Sequence, residues 1–287
     1  MNLHDIKLGI LGGGQLGKML CLAASNWNLQ TYVLDPSYDC PSSAVCTNFY
    51  SGDLNDYETV YKFGKMVDIL TIEIEHVNTD ALIRLKEEGL EVRPDPHILK
   101  IIQNKGTQKE FYTKNDLPTS DYKIAQNKEE IITCYENGDI KIPFVQKLCK
   151  LGYDGKGVKI VKSEDDLNEL LDGKSVIEEL VDIYKEISVI VSRNNMDQVE
   201  CFPPVEMLFN SNANLVEYLI CPTDLAESIV SDSYDLAINT IKAFDLYGIL
   251  AVEMFVNNDN KILINEVAPR PHNSGHHTIE ASITSQY

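Results

Sequence analysis

Short runs of branched apolar residues, set apart by helix-length stretches, constrain the first hundred residues more tightly than any other feature of the chain. The runs are 7–11 (KLGIL), 31–34 (TYVL) and 69–74 (ILTIEI). Each has the length and branched content of a strand, and the intervals between them have the length of helices. Strands joined through helices return parallel to one another, so residues 1–95 are expected to form βαβ units around a parallel sheet.

The rhythm then changes. Pro94, Pro96 and Pro118 bracket a helix-rich connector over 96–119. Beyond it, 143–148, 158–161, 175–180, 186–192, 250–256 and 261–267 read as strands, several joined by turns such as 257–260 (NNDN). Helices are expected at 164–171 and 222–244. The expected fold class is α/β followed by α+β, a parallel-sheet domain over 1–95 and a mostly antiparallel one over 96–287. A chain of 287 residues is long enough for two domains.

Charge narrows the partners. The 25 basic and 44 acidic residues leave a net −19, a field that repels nucleic acids and anionic membranes. The seven cysteines are odd in number, scattered and without a CxxC pair, which excludes a disulfide framework and a zinc ribbon and points to the cytoplasm. The opening apolar run is too short for a signal peptide, and no stretch approaches 18 uninterrupted apolar residues.

Four constellations carry candidate chemistry. In the first, Gly12, Gly13, Gly14, Gln15, Leu16 and Gly17 stand between a strand and a helix, with Asp35 ending the next strand. That matches the dinucleotide fingerprint, in which glycines admit a pyrophosphate to helix amides. The same glycines also serve another anion or plain strand-to-helix packing, so a nicotinamide cofactor is one reading of three. The second is the segment 141–162, whose six lysines against Asp154 alone give +5 within this acidic chain. Its loop GYDGKG (152–157) sits between two strands, and its amides with Lys156 could close over phosphates; a solvated lysine loop is the plainer alternative. A Walker A loop is excluded, because no GxxxxGK[ST] string occurs.

The third constellation is Glu253 and Glu266 on consecutive strands. With a loop at 257–260, position 256 faces 261 and 253 faces 264, which makes the two carboxylates diagonal neighbours about 7–8 Å apart at the backbone. A divalent ion could bridge them, and oxygen ligands with Asn265 nearby suit Mg²⁺ shared with phosphates; two acids on a solvated face are the alternative. The fourth is the loop 269–277 (PRPHNSGHH), which displays Arg270, His272, Asn273 and Ser274 within five residues. Its histidines, His272, His276 and His277, lack the helical HExxH context of a zinc site.

In this order, LGGGQLGKML (11–20), GYDGKG (152–157), KEISVIV (185–191), LAVEMFV (250–256) and INEVAPRPHNSGHHTIE (264–280) resemble the ATP-grasp superfamily. Within it they resemble the N5-carboxyaminoimidazole ribonucleotide synthetase (PurK) family, and the last string is the most specific. The resemblance implies a Rossmann-like domain followed by an ATP-grasp domain. The latter would comprise connector helices (96–119), a lid (about 120–182) and a central sheet with the acceptor loop (183–287). It also implies a carbon–nitrogen ligase of purine biosynthesis, in which ATP activates bicarbonate as carboxyphosphate and 5-aminoimidazole ribonucleotide is carboxylated on nitrogen.

By that resemblance, Lys105 and Lys147 meet ATP phosphates under a flap of Gly152, Tyr153, Asp154, Gly155, Lys156, Gly157 and Val158. Glu178, Glu179, Leu180 and Val181 form the hinge against adenine, and Glu186 accepts from the ribose. Glu253 and Glu266, with Asn265, hold Mg²⁺, which Mn²⁺ could replace. Arg270, His272, Asn273 and Ser274 orient the carboxyl and the aminoimidazole, with Gln15, Tyr153, Asp154 and Lys156 closing the pocket. Asp154, Lys156, Arg270, His272 and Asn273 are the expected catalytic set. Cys149, Leu151 and Phe209 stand where arginine, glycine and histidine are common in the family. Family members also continue past Tyr287 with a small domain that helps to build a homodimer. Two other readings remain, an ATP-binding module without turnover and an ATP-grasp ligase with a different acceptor.

Overall fold

The computed structural model describes residues 5–150, 157–210 and 215–287. Its first unit runs β1 (Lys7–Leu11), α1 (Gln15–Asn26), β2 (Gln30–Asp35), β3 (Asn48–Ser51), α2 (Tyr57–Gly64), β4 (Ile69–Ile72), α3 (Thr79–Glu87) and β5 (Glu91–Val92). The five strands pair in parallel in the order β3-β2-β1-β4-β5. Asp56 and Asn78 start α2 and α3 by accepting the amide hydrogens of Thr59 and Ala81, a contact that relieves the unpaired amides of a first turn. Leu11, Leu34, Leu70, Ile72, Leu82 and Leu85 fill the core on one side of the sheet.

Two departures from the sequence reading have local causes. The strand expected over 69–74 ends at Ile72. Glu73 and Glu75 therefore lie past the carboxyl edge of the sheet, where open α/β sheets place their ligands. The strand β3 (NFYS) has no branched aliphatic residue and β5 has only two residues, so neither carries the signal that marks the other strands.

The connector divides into α4 (Pro96–Ile102) and α5 (Lys105–Lys114), because the Asn104 side chain accepts the amide hydrogens of Gly106 and Thr107 and starts a new helix. A four-stranded antiparallel sheet follows, with β6 (Tyr122–Ala125), α6 (Lys128–Glu136), β7 (Phe144–Leu148), β8 (Val158–Val161) and β9 (Ser175–Glu179). Its strand order is β6-β9-β7-β8. Residues 164–169 form a 3₁₀ turn rather than the helix expected over 164–171. A capping box between Ser163 and Asp166 starts the turn, and Leu170 is already extended.

The third sheet is the largest, formed by β10 (Ile183–Arg193), β11 (Val199–Cys201), β12 (Val205–Asn210), β13 (Leu215–Ile220), β14 (Gly248–Asn257) and β15 (Ile262–Ala268). Helix α7 (Glu227–Ala243) interrupts the strand sequence, and α8 (Thr278–Ala281) closes the chain. The order is β13-β12-β10-β14-β15, with β11 also on β10, and every pairing is antiparallel. Alternation along β10 and β14 separates two faces. Ile187, Val189, Val191, Leu250, Val252 and Met254 pack with Ile229, Ala237 and Ile241 of α7 and with Tyr112 of α5. Each fully buried aliphatic side chain there contributes about 1.5–3 kcal/mol, which holds the sheet rigid behind its other face. Among the described residues no helix is long and apolar enough to cross a membrane, and all seven thiols are free.

Candidate active site

The face of the third sheet turned away from α7 carries the polar residues. Glu186 pairs with Phe255, and Ser188 pairs with Glu253, which in turn pairs with Glu266. Directly opposed residues share a face, so Ser188, Glu253 and Glu266 form one row across three strands. This corrects the diagonal register. Residue 256 faces Ile262 rather than 261, and a β-bulge after Met254↔Ile264 makes Asn265 the extra residue, so Glu253 comes level with Glu266. A bulge depends on the whole sheet and has no mark in the hydrophobic pattern.

Two lysines reach this row from other elements. Lys105, at the start of α5, donates to Glu266 Oε2 at 2.5 Å, and Lys147 of β7 donates to Asn265 Oδ1 at 2.9 Å. The nearby Lys105 ammonium holds the Glu266 carboxyl down against the opposing effect of burial. Burial, the Glu266 charge and the Glu186 charge together push Glu253 up. Burial also raises Glu186, to about 7. Glu266 keeps 43% of its side chain exposed while Glu253 keeps 15%, so the pair is more open on the Glu266 side.

Behind Lys147 lies a buried network that the sequence did not reveal. Glu178 Oε1 is 3.1 Å from Lys147 Nζ, Glu178 Oε2 is 2.9 Å from Lys109 Nζ, and Ser120 donates to Glu178 at 2.7 Å. Lys109 also donates to Thr119 and Ser120, at 2.6 and 2.9 Å. Burial works against the Glu178 charge, but the two ammonium groups outweigh it and hold its carboxyl at about 2. Burial pushes Lys109 down to about 8. The Glu178 side chain is thus committed to Lys109 and Lys147, β9 ends on exposed Glu179, and half-buried Leu180 and Val181 lead on toward β10. Lys109 had one available signal, its i,i+4 spacing from Lys105 on a single helix face.

The loop after β15 meets the row from the far side. His272 Nε2 is 3.3 Å from Glu253 Oε1. His272 Nδ1 lies 2.8 Å from Ser274 Oγ and accepts the Ser274 amide hydrogen at 3.3 Å, which assigns the ring proton to Nε2, facing Glu253. Ser274 Oγ in turn meets Ser188 Oγ at 2.8 Å. Burial and the Arg270 charge push His272 down to about 4, so the ring is neutral near pH 7. Arg270 Nε pairs with Glu75 Oε1 at 2.8 Å, tying the loop to the first unit. Asn273 is exposed and meets His276 through its Oδ1 at 3.1 Å.

The first unit contributes the glycine loop and Glu73. Gly13 N–H donates to Asp35 Oδ2 at 2.8 Å, and Gly14 N–H donates to Glu73 Oε2 at 3.3 Å. A Cβ on Gly13 would stand 2.4 Å from Cys40 Sγ, and one on Gly14 would stand 2.6 Å from Glu73 Oε1. Glu73 presses against Gly12 and Gly14, Cys40 against Gly13 and the Gly12 carbonyl against Gly17, so tight packing accounts for these glycines. The Gly13 and Gly14 amides already serve carboxylates, which takes two of the donors that a pyrophosphate cradle would use. Gln15 is exposed in the first turn of α1, beside this contact. Glu73 falls within the expected strand 69–74 and Glu75 directly after it; acids just beyond a parallel strand's carboxyl end are the signal that marks them.

Not every expected residue can be placed. Leu151, Gly152, Tyr153, Asp154, Gly155 and Lys156 lie outside the described residues. Gly157 has a φ of 77°, a left-handed conformation that favours glycine, and its carbonyl accepts the Leu148 amide hydrogen at 2.8 Å at the start of β8, where Val158 follows. The lysine-rich segment divides: Lys147 turns inward, whereas Lys159 pairs with Glu169 outside. Phe209 is half-exposed on β12, and Cys149 is buried with its carbonyl accepting the Lys105 amide hydrogen.

The donor set fits a divalent cation. Glu253, Glu266 and Asn265 supply oxygen only, and a cation there would offset the repulsion that pushes Glu253 up. Among the described residues no group of three or more His, Cys, Asp or Glu side chains could hold an ion by itself.

Known proteins agree with this architecture. Residues 110–287 match the model of the ATP-grasp domain, and 6–103 match that of the ribonucleotide synthetase preATP-grasp domain. The N5-carboxyaminoimidazole ribonucleotide synthase of Bacillus subtilis is 34% identical over 98% of this chain and 73% of its own length. The chloroplastic phosphoribosylaminoimidazole carboxylase of Vigna aconitifolia is 34% identical over 99% of this chain, which spans about half (51%) of that protein. An Aspergillus clavatus N5-carboxyaminoimidazole synthase, solved with ADP and 5-aminoimidazole ribonucleotide, superposes with a TM-score of 0.88 at 31% identity, over 99% of this chain and 75% of that one. A parallel-sheet unit, an ATP-grasp unit, and two opposed glutamates under two lysines are thus joined to likeness along nearly the whole chain, and the chain belongs to the N5-carboxyaminoimidazole ribonucleotide synthetase (PurK) family of ATP-grasp proteins.

Proposed function

We propose that this chain carries out ATP-dependent carboxylation of 5-aminoimidazole ribonucleotide on its exocyclic nitrogen. Bicarbonate oxygen attacks the γ-phosphorus of ATP, giving carboxyphosphate and ADP. The amine then attacks the carboxyl carbon, phosphate leaves, and the amine proton is released. The observation that carries this reading is the row Ser188–Glu253–Glu266 beneath Lys105 and Lys147, with His272 touching Glu253. Polyphosphate and bicarbonate repel one another, and a cleft that joins two cations to a carboxylate pair suits that problem.

In this reading Lys105 and Lys147 bind the phosphates, the flap 152–158 covers them, and 179–181 with Glu186 receive adenine and ribose. Glu253, Glu266 and Asn265 hold Mg²⁺, which when bound supplies positive charge against the phosphate oxygens. Arg270, Asn273 and Ser274 orient the acceptor, and Gln15, Asp154 and Lys156 complete its pocket. Neutral His272 donates from Nε2, so it orients rather than takes the amine proton. Glu75 of the first unit pairs with Arg270 and sets its position, with the Glu73 charge nearby. We assign 1–95 and 96–287 as the two domains, with about 120–182 as the lid, and place the reaction in the cytoplasm.

The deciding measurement is phosphate release from Mg·ATP and bicarbonate, with and without the ribonucleotide. Stimulation by the ribonucleotide is the expected result. Nucleotide binding with no stimulated release would instead identify a binding module.

A further inference from the structure

Gln286 is 7% exposed and lies across the backbone of His272. Its Oε1 accepts the His272 amide hydrogen at 2.8 Å, and its Nε2 donates to the His272 carbonyl at 2.8 Å. The same carbonyl accepts the Gly275 amide hydrogen at 2.9 Å, so both of its lone pairs are used. Gln286 is itself held: its amide hydrogen goes to Thr278 Oγ1 at 3.0 Å, and that hydroxyl donates to Gly275 O at 2.7 Å. A Cβ on Gly275 would come within 2.4 Å of Gln286 Oε1, so the close approach depends on the glycine. Next to it, Tyr287 donates its hydroxyl to Met19 Sδ of α1 at 3.1 Å.

We propose that Gln286 is a positioning residue for the acceptor loop, a two-bond clamp that sets where the His272 ring stands over Glu253. The His272 ring is located by Ser274, which in turn meets Ser188, and the His272 carbonyl is held by the Gly275 amide, but none of these contacts holds the His272 N–H. Gln286 supplies the missing constraint from sixteen residues beyond Arg270, on the chain segment that also contacts the first unit. The two bonds grip the peptide groups on either side of the His272 Cα, which fixes that residue's backbone in a way that a single bond or an apolar contact does not. A displacement near 1 Å at a reacting centre costs on the order of 100-fold in rate.

The inference rests on the reading of this loop as the acceptor site, and its test has an arm that does not. Q286M keeps the length and removes both bonds. G275A leaves Gln286 intact but excludes its amide, and should reproduce the Q286M behaviour. Amide hydrogen exchange on the full chain should show His272 and Gly275 losing protection in both variants, while the strands β10 and β14 keep theirs. In turnover, ribonucleotide-stimulated phosphate release should fall at least about ten-fold in kcat, with KM for ATP within about two-fold of wild type. Q286N, which keeps the amide on a shorter arm, should recover part of the loss. Unchanged exchange at His272 in Q286M would overturn the proposal, as would equal losses in kcat and in ATP affinity. Absence of stimulated release in the wild type would sink the functional reading, and the exchange arm would then decide the clamp alone.

Discussion

Replacing Glu178 by glutamine tests the buried network at its centre. The wild-type carboxylate is 3% exposed and lies within 3.1 Å of both lysine ammonium groups. Its carboxyl is held at about 2 against an ordinary 4.5. At 1.36 kcal/mol for each unit, the folded state favours the charged form by about 3 kcal/mol, and no solvent screening reduces this at such burial. The sign follows from the direction. A depressed carboxyl contributes stability above its unfolded value and loses it as pH falls from about 4.5 through about 2.

In E178Q at pH 7 two ammonium groups remain without their anion, and breaking a buried pair costs about 3–5 kcal/mol. Burial already pushes Lys109 down to about 8, and without Glu178 it falls further and sheds its proton. That escape caps the loss near 3 kcal/mol at pH 7 and reduces it by pH 9, where Lys109 no longer needs an anion. Urea denaturation of wild type, E178Q, K109M and the double variant at both pH values measures this. The double variant should be clearly more stable than the sum of the two single losses predicts, because it removes both members of the pair. A loss below about 1 kcal/mol for E178Q at pH 7, or a loss that does not shrink by pH 9, refutes the argument.

Three further outcomes are expected. E266Q deletes one charge of the carboxylate pair at nearly constant volume; Mg²⁺-dependent phosphate release should fall at least about 100-fold with the circular dichroism spectrum unchanged, and wild-type turnover would remove the metal assignment. H272A should reduce ribonucleotide-stimulated release far more than nucleotide binding, as read by thermal shift with Mg·ATP; weakened ATP binding alone would show that His272 serves the nucleotide instead. G14A places a methyl group 2.6 Å from Glu73 Oε1 and should cost about 1–3 kcal/mol, whereas an unchanged melting temperature would show that the Glu73 turn yields freely.

The parallel first sheet and the antiparallel later ones were legible because branched runs at helix-length intervals, or joined by short turns, admit few connections. Glu253, Glu266 and His272 were legible as chemistry because charged groups inside apolar strands, or crowded into a proline-stiffened loop, need a reason to be there, whereas Lys105 and Lys147 were marked out only by the family resemblance. Helix ends were read less well: α7 begins at Glu227 rather than 222, and the connector breaks at Asn104. Those limits are set by caps, which act over a few atoms. The strands β11 to β13 lie outside that reading because three residues in β11, and apolar runs in β12 and β13 each broken by a glutamate, show no sustained alternation.

Composition and periodicity by themselves determined the fold class and the order of units, since burial and strand spacing act along the chain, and the motifs with the family resemblance marked most of the side chains that could do chemistry. Pairing across the chain was decided only in three dimensions. The bulge at Asn265 sets Glu253 level with Glu266; Lys109, Glu178 and Lys147 meet from α5, β9 and β7; Gln286 returns to clamp His272. Each depends on atoms brought together from different elements, where a register shift of one residue or a displacement of an ångström changes the chemistry, and no local pattern encodes that.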